Sequence, residues 1–243
     1  MKTAQDYYTD DITLLPTSAI WKSSCRASIA MAPGLFAFFY IRKLLKLPFR
    51  PNYCAPWPET LPIVPIEALS SEARDAFALR FPELAANGFE LAFCLETPFI
   101  GTKWGASALF LSNDGKCYAT LVWLKLRMRG FERAETTFAC HSSLTSGEVI
   151  STAPVRQAIW IPELIPPGVH LMRLPENTPP EQVLQSHRQR MQSLASAPRV
   201  LDQNSLRVQM HQTAQQLFEH LVGKGYYRKL KPLEMSYLQS VAR

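Results

Sequence analysis

The sequence predicts an α+β fold: an antiparallel β-meander of about five to six strands with helices packed on one face, plus an N-terminal apolar and basic helical arm. Three observations carry this. Residues 89–154 alternate apolar and polar positions between turn-forming groups, Thr178-Pro179-Pro180-Glu181 opens a passage of helical periodicity, and Ala27 to Phe49 joins aromatic and leucine residues to cations.

Residues 1–21 are polar, mixed in charge and punctuated by Pro16, which predicts a poorly ordered terminus. The first twenty residues lack the apolar core of a secretory signal. Ala27 to Ile41 then carries no charge and includes Leu35, Phe36, Phe38, Phe39, Tyr40 and Ile41. Arg42, Lys43, Lys46 and Arg50 follow, interspersed with Leu44, Leu45, Leu47 and Phe49. At 100° per residue those cations fall within about a quarter-turn of one another on a helix, opposite the leucines. The run is shorter than the ~20 residues that cross a bilayer, and Pro33-Gly34 interrupts it. Three readings compete: a helix buried against the sheet, a membrane-surface helix with its basic face on anionic headgroups, and a helix that docks on a protein partner.

Five prolines at 51, 56, 58, 62 and 65 make an extended connector over 51–65, separating an arm of residues 1–50 from an α+β domain of 66–243. Ile66 to Ala86 reads as a helix that Pro82 ends or kinks and Asn87-Gly88 stops. Phe89, Leu91, Phe93 and Leu95 mark a first strand, ending at Thr97-Pro98, and Ala106 to Leu111 a second. Ser112-Asn113-Asp114-Gly115-Lys116 is a hairpin turn. Cys117 to Met128 is apolar on both parities, which places it near the middle of the sheet with both faces covered. Arg129-Gly130 turns the chain into Ala134 to Ser142, and Ser146-Gly147 turns it into Glu148 to Ala153, where Pro154 removes a donor. Ala158 to Ile161 and Val169 to Leu174 complete a sheet over 89–174 as edge strands. Short turns imply antiparallel pairing.

The C-terminal helices occupy 178–243. Thr178 reads as the N-cap of the first, whose Val183, Leu184, His187, Met191 and Leu194 share one face. The second runs from Asn204 to Val222 and a short last one from Lys231 to Val241.

The 243 residues are 47% apolar, ordinary for a globular chain, and the formal charge of +6 is uneven. Lys22, Arg26, Arg42, Lys43, Lys46 and Arg50 face no acid between residues 22 and 50, and nine cations follow Ser186 against Asp202, Glu219 and Glu234. Basic ends on an acidic body suggest an anionic partner surface. Cys25, Cys54, Cys94, Cys117 and Cys140 form no CxxC, and the odd count suits a reducing compartment. Cys94, Cys117 and Cys140 fall in strands and read as small buried hydrophobes.

No phosphate-binding glycine loop, HExxH helix, nucleophile elbow or EF-hand is present, and no histidine pair has metal-ligand spacing, so neither cofactor nor metal is implied. His187 is the one catalytic candidate. It points toward the sheet with the apolar stripe, either as a core histidine or as a base oriented by Glu90, Glu96 or Glu135. His141 reads as exposed, and Ser142, Ser143 and Thr145 as turn residues. Tyr226-Tyr227-Arg228-Lys229 interleaves aromatics with cations, but no recognition module accompanies it, so nucleic acid is the weaker partner.

The leading expectation is a non-catalytic, cytoplasmic domain that associates peripherally with an anionic membrane surface. The surface would comprise Leu35, Phe36, Phe38, Phe39, Arg42, Lys43, Lys46, Phe49 and Arg50. A protein partner for the same arm is the neighbouring reading. The alternative function is a small-molecule or enzymatic pocket between the sheet and the helix of His187.

Overall fold

The computed structural model describes residues 6–27, 29–97, 99–128, 131–155 and 164–241. The chain begins with β1 (Tyr7–Asp10), α1 (Thr17–Ala27), α2 (Ala32–Leu44), β2 (Tyr53–Pro56) and β3 (Ile63–Val64). It continues through α3 (Ser71–Ala78), α4 (Phe81–Ala86), β4 (Phe89–Thr97), β5 (Ile100–Gly101), β6 (Lys103–Ser112) and β7 (Tyr118–Met128). Then come β8 (Phe131–Ser143), β9 (Val149–Pro154), β10 (Val169–Leu174), α5 (Pro180–Gln192), α6 (Gln203–Gly223), β11 (Tyr227–Lys229) and α7 (Pro232–Val241).

The fold is α+β. Seven strands form the larger sheet in the order β10-β9-β8-β7-β6-β4-β3, with β7 at the centre as its two-sided apolar pattern requires. Pairing is antiparallel from β3 to β9, but β10 lies parallel to β9, Val169 opposite Val149. The sheet is therefore mixed at that edge. The long connection from Pro154 to Val169 permits a crossover that short turns do not. The Ala158–Ile161 strand and the Arg129-Gly130 turn lie outside the described residues.

Helices cover both faces of this sheet, not one. Phe77 of α3 and Val183 and Leu184 of α5 pack with Phe110, Leu121 and Phe138 on the first face. Leu206 and Met210 of α6 pack with Phe93, Leu109 and Tyr118 on the second. A central strand with apolar residues on both parities demands such double cover. Gly115 makes the entry to α6 possible. Its φ of 67° belongs to the β6–β7 turn, its carbonyl accepts from Leu201 N–H at 2.8 Å, and a Cβ there would lie 2.5 Å from the Leu201 oxygen.

A second, four-stranded antiparallel sheet runs β11-β1-β2-β5. Tyr8 of β1 stands between Ala55 of β2 and Lys229 of β11. The terminus read as poorly ordered therefore contains a paired strand and the start of α1, and the proline-rich connector supplies β2. β1 is set by partners 47 and 221 residues away, Ala55 and Lys229 opposite Tyr8, which no local pattern reports.

Smaller corrections have local causes. The helix read over Ile66–Ala86 divides into α3 and α4, with Pro82 in the first turn of α4. Thr178 does not cap α5: its hydroxyl donates to Pro175 O at 2.7 Å, and Pro179 occupies the cap position. On α6, Asp202 and Ser205 form a reciprocal capping box.

Candidate functional site

α2 is built inside out. In a surface helix the polar residues face water and the apolar stripe faces the protein. Here Gly34, Ala37, Phe38, Ile41, Leu44 and Leu45, at the spacing of one helical face, are all exposed, while Arg42 and Lys43 lie half-buried with Leu35, Phe36, Phe39 and Tyr40. Ala32 is the one buried residue of the helix. Phe38 is 49% exposed, Ile41 54%, Leu44 63% and Leu45 62%. The apolar surface continues past both ends through Ile29 and Met31 before the helix and Leu47 after it. Eight of the sixteen exposed large apolar side chains among the described residues lie between Trp21 and Leu47, so this is a patch and not scatter.

The inward side explains how the hairpin is held. Trp21 of α1 meets Phe36 edge to face at 5.4 Å, and Phe36 stacks on Tyr40. Lys43 Nζ donates to Leu15 O at 2.6 Å and Thr13 O at 3.2 Å. The Arg42 guanidinium donates to Leu47 O and Pro48 O and lies 4.1 Å from the centroid of the Phe49 ring. Two of the predicted surface cations are thus spent on the backbone.

The helix also stops early. Leu47 N–H reaches Arg42 O and Lys46 N–H reaches Lys43 O, a Schellman closure with Lys46 at φ 51° in the position usually held by glycine. Pro48 disfavours helix at Leu47, which reinforces the stop. Lys46 and Arg50 consequently lie beyond the helix, so the continuous basic stripe expected through residue 50 is not formed. Both are exposed, and Arg50 lies 5.8 Å from the Tyr237 ring. Phe49 is half-buried against Phe38 and Phe39. Ile29 and Met31 lie outside the surface expected from the sequence, and Ile41, Leu44, Leu45 and Leu47, which fall within its span, were not named in it, although their apolar character in an acid-free stretch was the available signal.

His187 sits 1% exposed on the inner face of α5. Its Nε2 lies 3.0 Å from Ser142 Oγ and its Nδ1 3.0 Å from Thr152 Oγ1. Ser142 donates its single proton to Lys116 O at 2.9 Å, so Nε2–H must donate to Ser142 and Nδ1 must accept from Thr152. Burial, and secondarily Arg190, push the imidazole down to about 4. It is neutral at pH 7. None of Glu90, Glu96 or Glu135 orients it; all three are exposed, and the hydroxyls of β8 and β9 take their place. Ser142, read with Ser143 as a turn residue, instead lies with it in β8, and Ser142 and Thr152, the latter not singled out in the sequence, are the residues that matter here.

His141 departs from its exposed reading. On the other face of β8 it stacks on Tyr118 with centroids 4.9 Å apart, and bonds Thr120 Oγ1 at 3.0 Å and Ser151 Oγ at 2.8 Å. Burial, then the nearby His187, push it down to about 3. Two neutral histidines therefore pin β7, β8, β9 and α5 through hydroxyls. Beside His187 a cleft of about 490 Å³ opens between α5, the Asn87-Gly88 turn and the β6–β7 turn. Cys94 and Cys140 are buried as expected, but Cys117 is half-buried and lines this cleft.

Among the described residues no cluster of three metal-ligating side chains occurs, and no helix is long and apolar enough to cross a membrane. No family model, curated protein or solved structure matches the chain, so its function is argued from its own geometry.

Proposed function

We propose that this protein associates peripherally with an anionic membrane surface through the α1–α2 hairpin, from a cytoplasmic location. The observation that carries the reading is the outward apolar stripe Phe38, Ile41, Leu44 and Leu45, continued by Ile29, Met31 and Leu47. Moving a half-exposed Leu or Ile out of water contributes about 1 kcal/mol, so seven such side chains supply enough for reversible interfacial binding. The helix lies in the headgroup region along its length and does not span it.

Charge favours a lipid occupant over a protein one. From Ile12 to Pro58 there is no acidic residue, and the exposed Lys46 and Arg50 border the patch. Each basic residue near an anionic leaflet contributes about 1 kcal/mol. Arg42 and Lys43 act differently from the sequence expectation: they brace the hairpin by binding carbonyls, and the headgroup contact falls to the two cations past the helix.

Flotation with phosphatidylserine/phosphatidylcholine vesicles tests this. Wild-type protein floats with the mixed vesicles, less with pure phosphatidylcholine, and a variant with Ile41→Ser, Leu44→Ser and Leu45→Ser stays at the bottom while remaining folded. Equal flotation of the two proteins, or none by wild type, rejects the reading. Retention of wild type by a protein partner in the absence of lipid, with no flotation, assigns the hairpin to assembly instead.

A further inference from the structure

The C-terminal helix α7 is fixed on its inner side and apolar on its outer side. Arg228 grips the Glu234 carboxylate with two nitrogens, at 2.8 and 2.7 Å, and Lys231 N–H donates to the same group at 3.0 Å. Leu238 is buried and Met235 half-buried, so Glu234, Met235 and Leu238 define the inner face. Leu233 and Tyr237, one turn apart on the other side, are 86% and 40% exposed. Leu233 is the most exposed large apolar side chain among the described residues. Ser236 and Ser240 share this outer side, and their hydroxyls donate to Pro232 O at 3.3 Å and Tyr237 O at 2.7 Å, so the helix itself satisfies them.

A single exposed leucine is ordinary; what distinguishes Leu233 is what it adjoins. Phe38 of the outward stripe packs on Phe49 with ring centroids 5.8 Å apart, and the next residue, Arg50, places its guanidinium 5.8 Å from the centroid of the Tyr237 ring. Arg228 ties the two segments, donating to Phe49 O while it holds Glu234. Contacts therefore run from the hairpin stripe through Phe49 and Arg50 to Tyr237, and one turn back along α7 to Leu233. The charge also matches that of the hairpin. From Lys224 to Arg243 the sole acid is Glu234, which Arg228 neutralises, and Lys231 stands exposed at the start of the helix.

We propose that α7 is a second contact with the anionic membrane surface, entering the headgroup region through Leu233 and Tyr237 alongside the α1–α2 hairpin. This rests on the membrane reading of the hairpin and adds the orientation of the bound protein. The Leu233 side chain leaves water for the acyl boundary, and the Tyr237 ring, apolar in body with a polar hydroxyl, sits at headgroup level. Arg50, between the two elements, and Lys231 face the anionic headgroups, and this cationic border selects an anionic leaflet as the occupant. The clamp at Phe49 joins the two contacts into one unit, so engagement of either presents the other.

The experiment uses the full chain with phosphatidylserine/phosphatidylcholine vesicles, and with nitroxide-bearing lipid in bicelles of the same two lipids. The Leu233 methyl resonances are expected to broaden together with those of Ile41, Leu44 and Leu45. A variant with Leu233→Ser and Tyr237→Ser is expected to bind the vesicles about tenfold more weakly than wild type, the effect of losing one well-immersed leucine. Its unfolding free energy stays unchanged, because both positions are exposed. Leu79→Ser, at a position 81% exposed on the end of α3, leaves the vesicle affinity as it was. Sharp Leu233 methyls beside broadened hairpin methyls, or undiminished affinity of the double variant, overturn the proposal and leave the hairpin reading standing. Broadening at none of these positions overturns both. A dimer formed without lipid and lost in the double variant assigns the face to a second copy of the chain and overturns the proposal as well.

Discussion

The Phe49 N–H donates to Asp11 Oδ2 at 2.6 Å, joining the segment after α2 to the end of β1. Asp11 is 4% exposed, and its Oδ1 accepts from both the N–H and the hydroxyl of Thr13. Arg228 Nη2 donates to Phe49 O at 3.3 Å and pairs with Glu234 at 2.7 Å, so the Phe49 peptide is gripped from both sides. This clamp holds the hairpin on the body with its apolar stripe outward. Charge-assisted bonds of this kind contribute about 1.5–3 kcal/mol each. Asp11→Ala should cost about 3 kcal/mol in urea unfolding and Asp11→Asn, which keeps one acceptor, about half as much. A change below 0.5 kcal/mol for the alanine variant, small for any buried-carboxylate deletion, would remove the clamp from the account.

Lys46 occupies a left-handed conformation that costs a non-glycine residue about 1 kcal/mol. Lys46→Gly should therefore raise the unfolding free energy by up to about 1 kcal/mol. The same change removes an exposed cation, so vesicle binding should weaken as stability rises. Parallel movement of the two measurements would show that Lys46 does not serve the headgroups.

Gly115→Ala meets both a positive φ and the Leu201 carbonyl. A loss of about 2–3 kcal/mol is expected. Chemical shifts should change at the start of α6, because the Leu201 N–H to Gly115 O bond is the link between that turn and the helix. Unchanged stability would mean that the turn yields without disturbing α6.

His187, buried, and His141, half-buried against Tyr118, predict acid sensitivity. Folded values of about 4 for His187 and about 3 for His141 lie below the 6.5 of a free imidazole. The unfolded chain binds more protons in the interval between, so stability is fully present above pH 6.5 and falls as the pH drops toward 4. Each histidine contributes a slope of at most about 1.4 kcal/mol per pH unit. His187→Gln should lower stability at pH 7, because one amide cannot serve Ser142 and Thr152 as the ring does, and should flatten the acid slope. An unchanged slope would mean that His187 is protonated in the folded state.

The large sheet was legible because its signals are local: alternation in Phe89 to Leu95, the turn around Gly115 and the two-sided apolar pattern of β7 all lie within a dozen residues. The small sheet was not, since Tyr8 pairs with Ala55 and Lys229 and nothing near Tyr8 announces them. The apolar arm was legible as composition, but not in orientation. Helical spacing sets Arg42 and Lys43 opposite the leucines; which side faces the body depends on carbonyls at Thr13 and Leu15, outside the helix. His187 was correctly aimed at the sheet, yet its partners are hydroxyls of Ser142 and Thr152, residue types so common in strands and turns that Ser142 read as turn chemistry and Thr152 did not stand out.

The central claim is that the stripe on α2 meets lipid, and methyl relaxation measures it most directly. With nitroxide-bearing lipid in phosphatidylserine bicelles, the methyl resonances of Ile41, Leu44 and Leu45 should broaden strongly. Those of Leu79 and Val208, 81% and 58% exposed at the end of α3 and on α6, the helices that pack on the large sheet, should not. Equal broadening at all five positions, or none at Ile41, Leu44 and Leu45, would contradict the account.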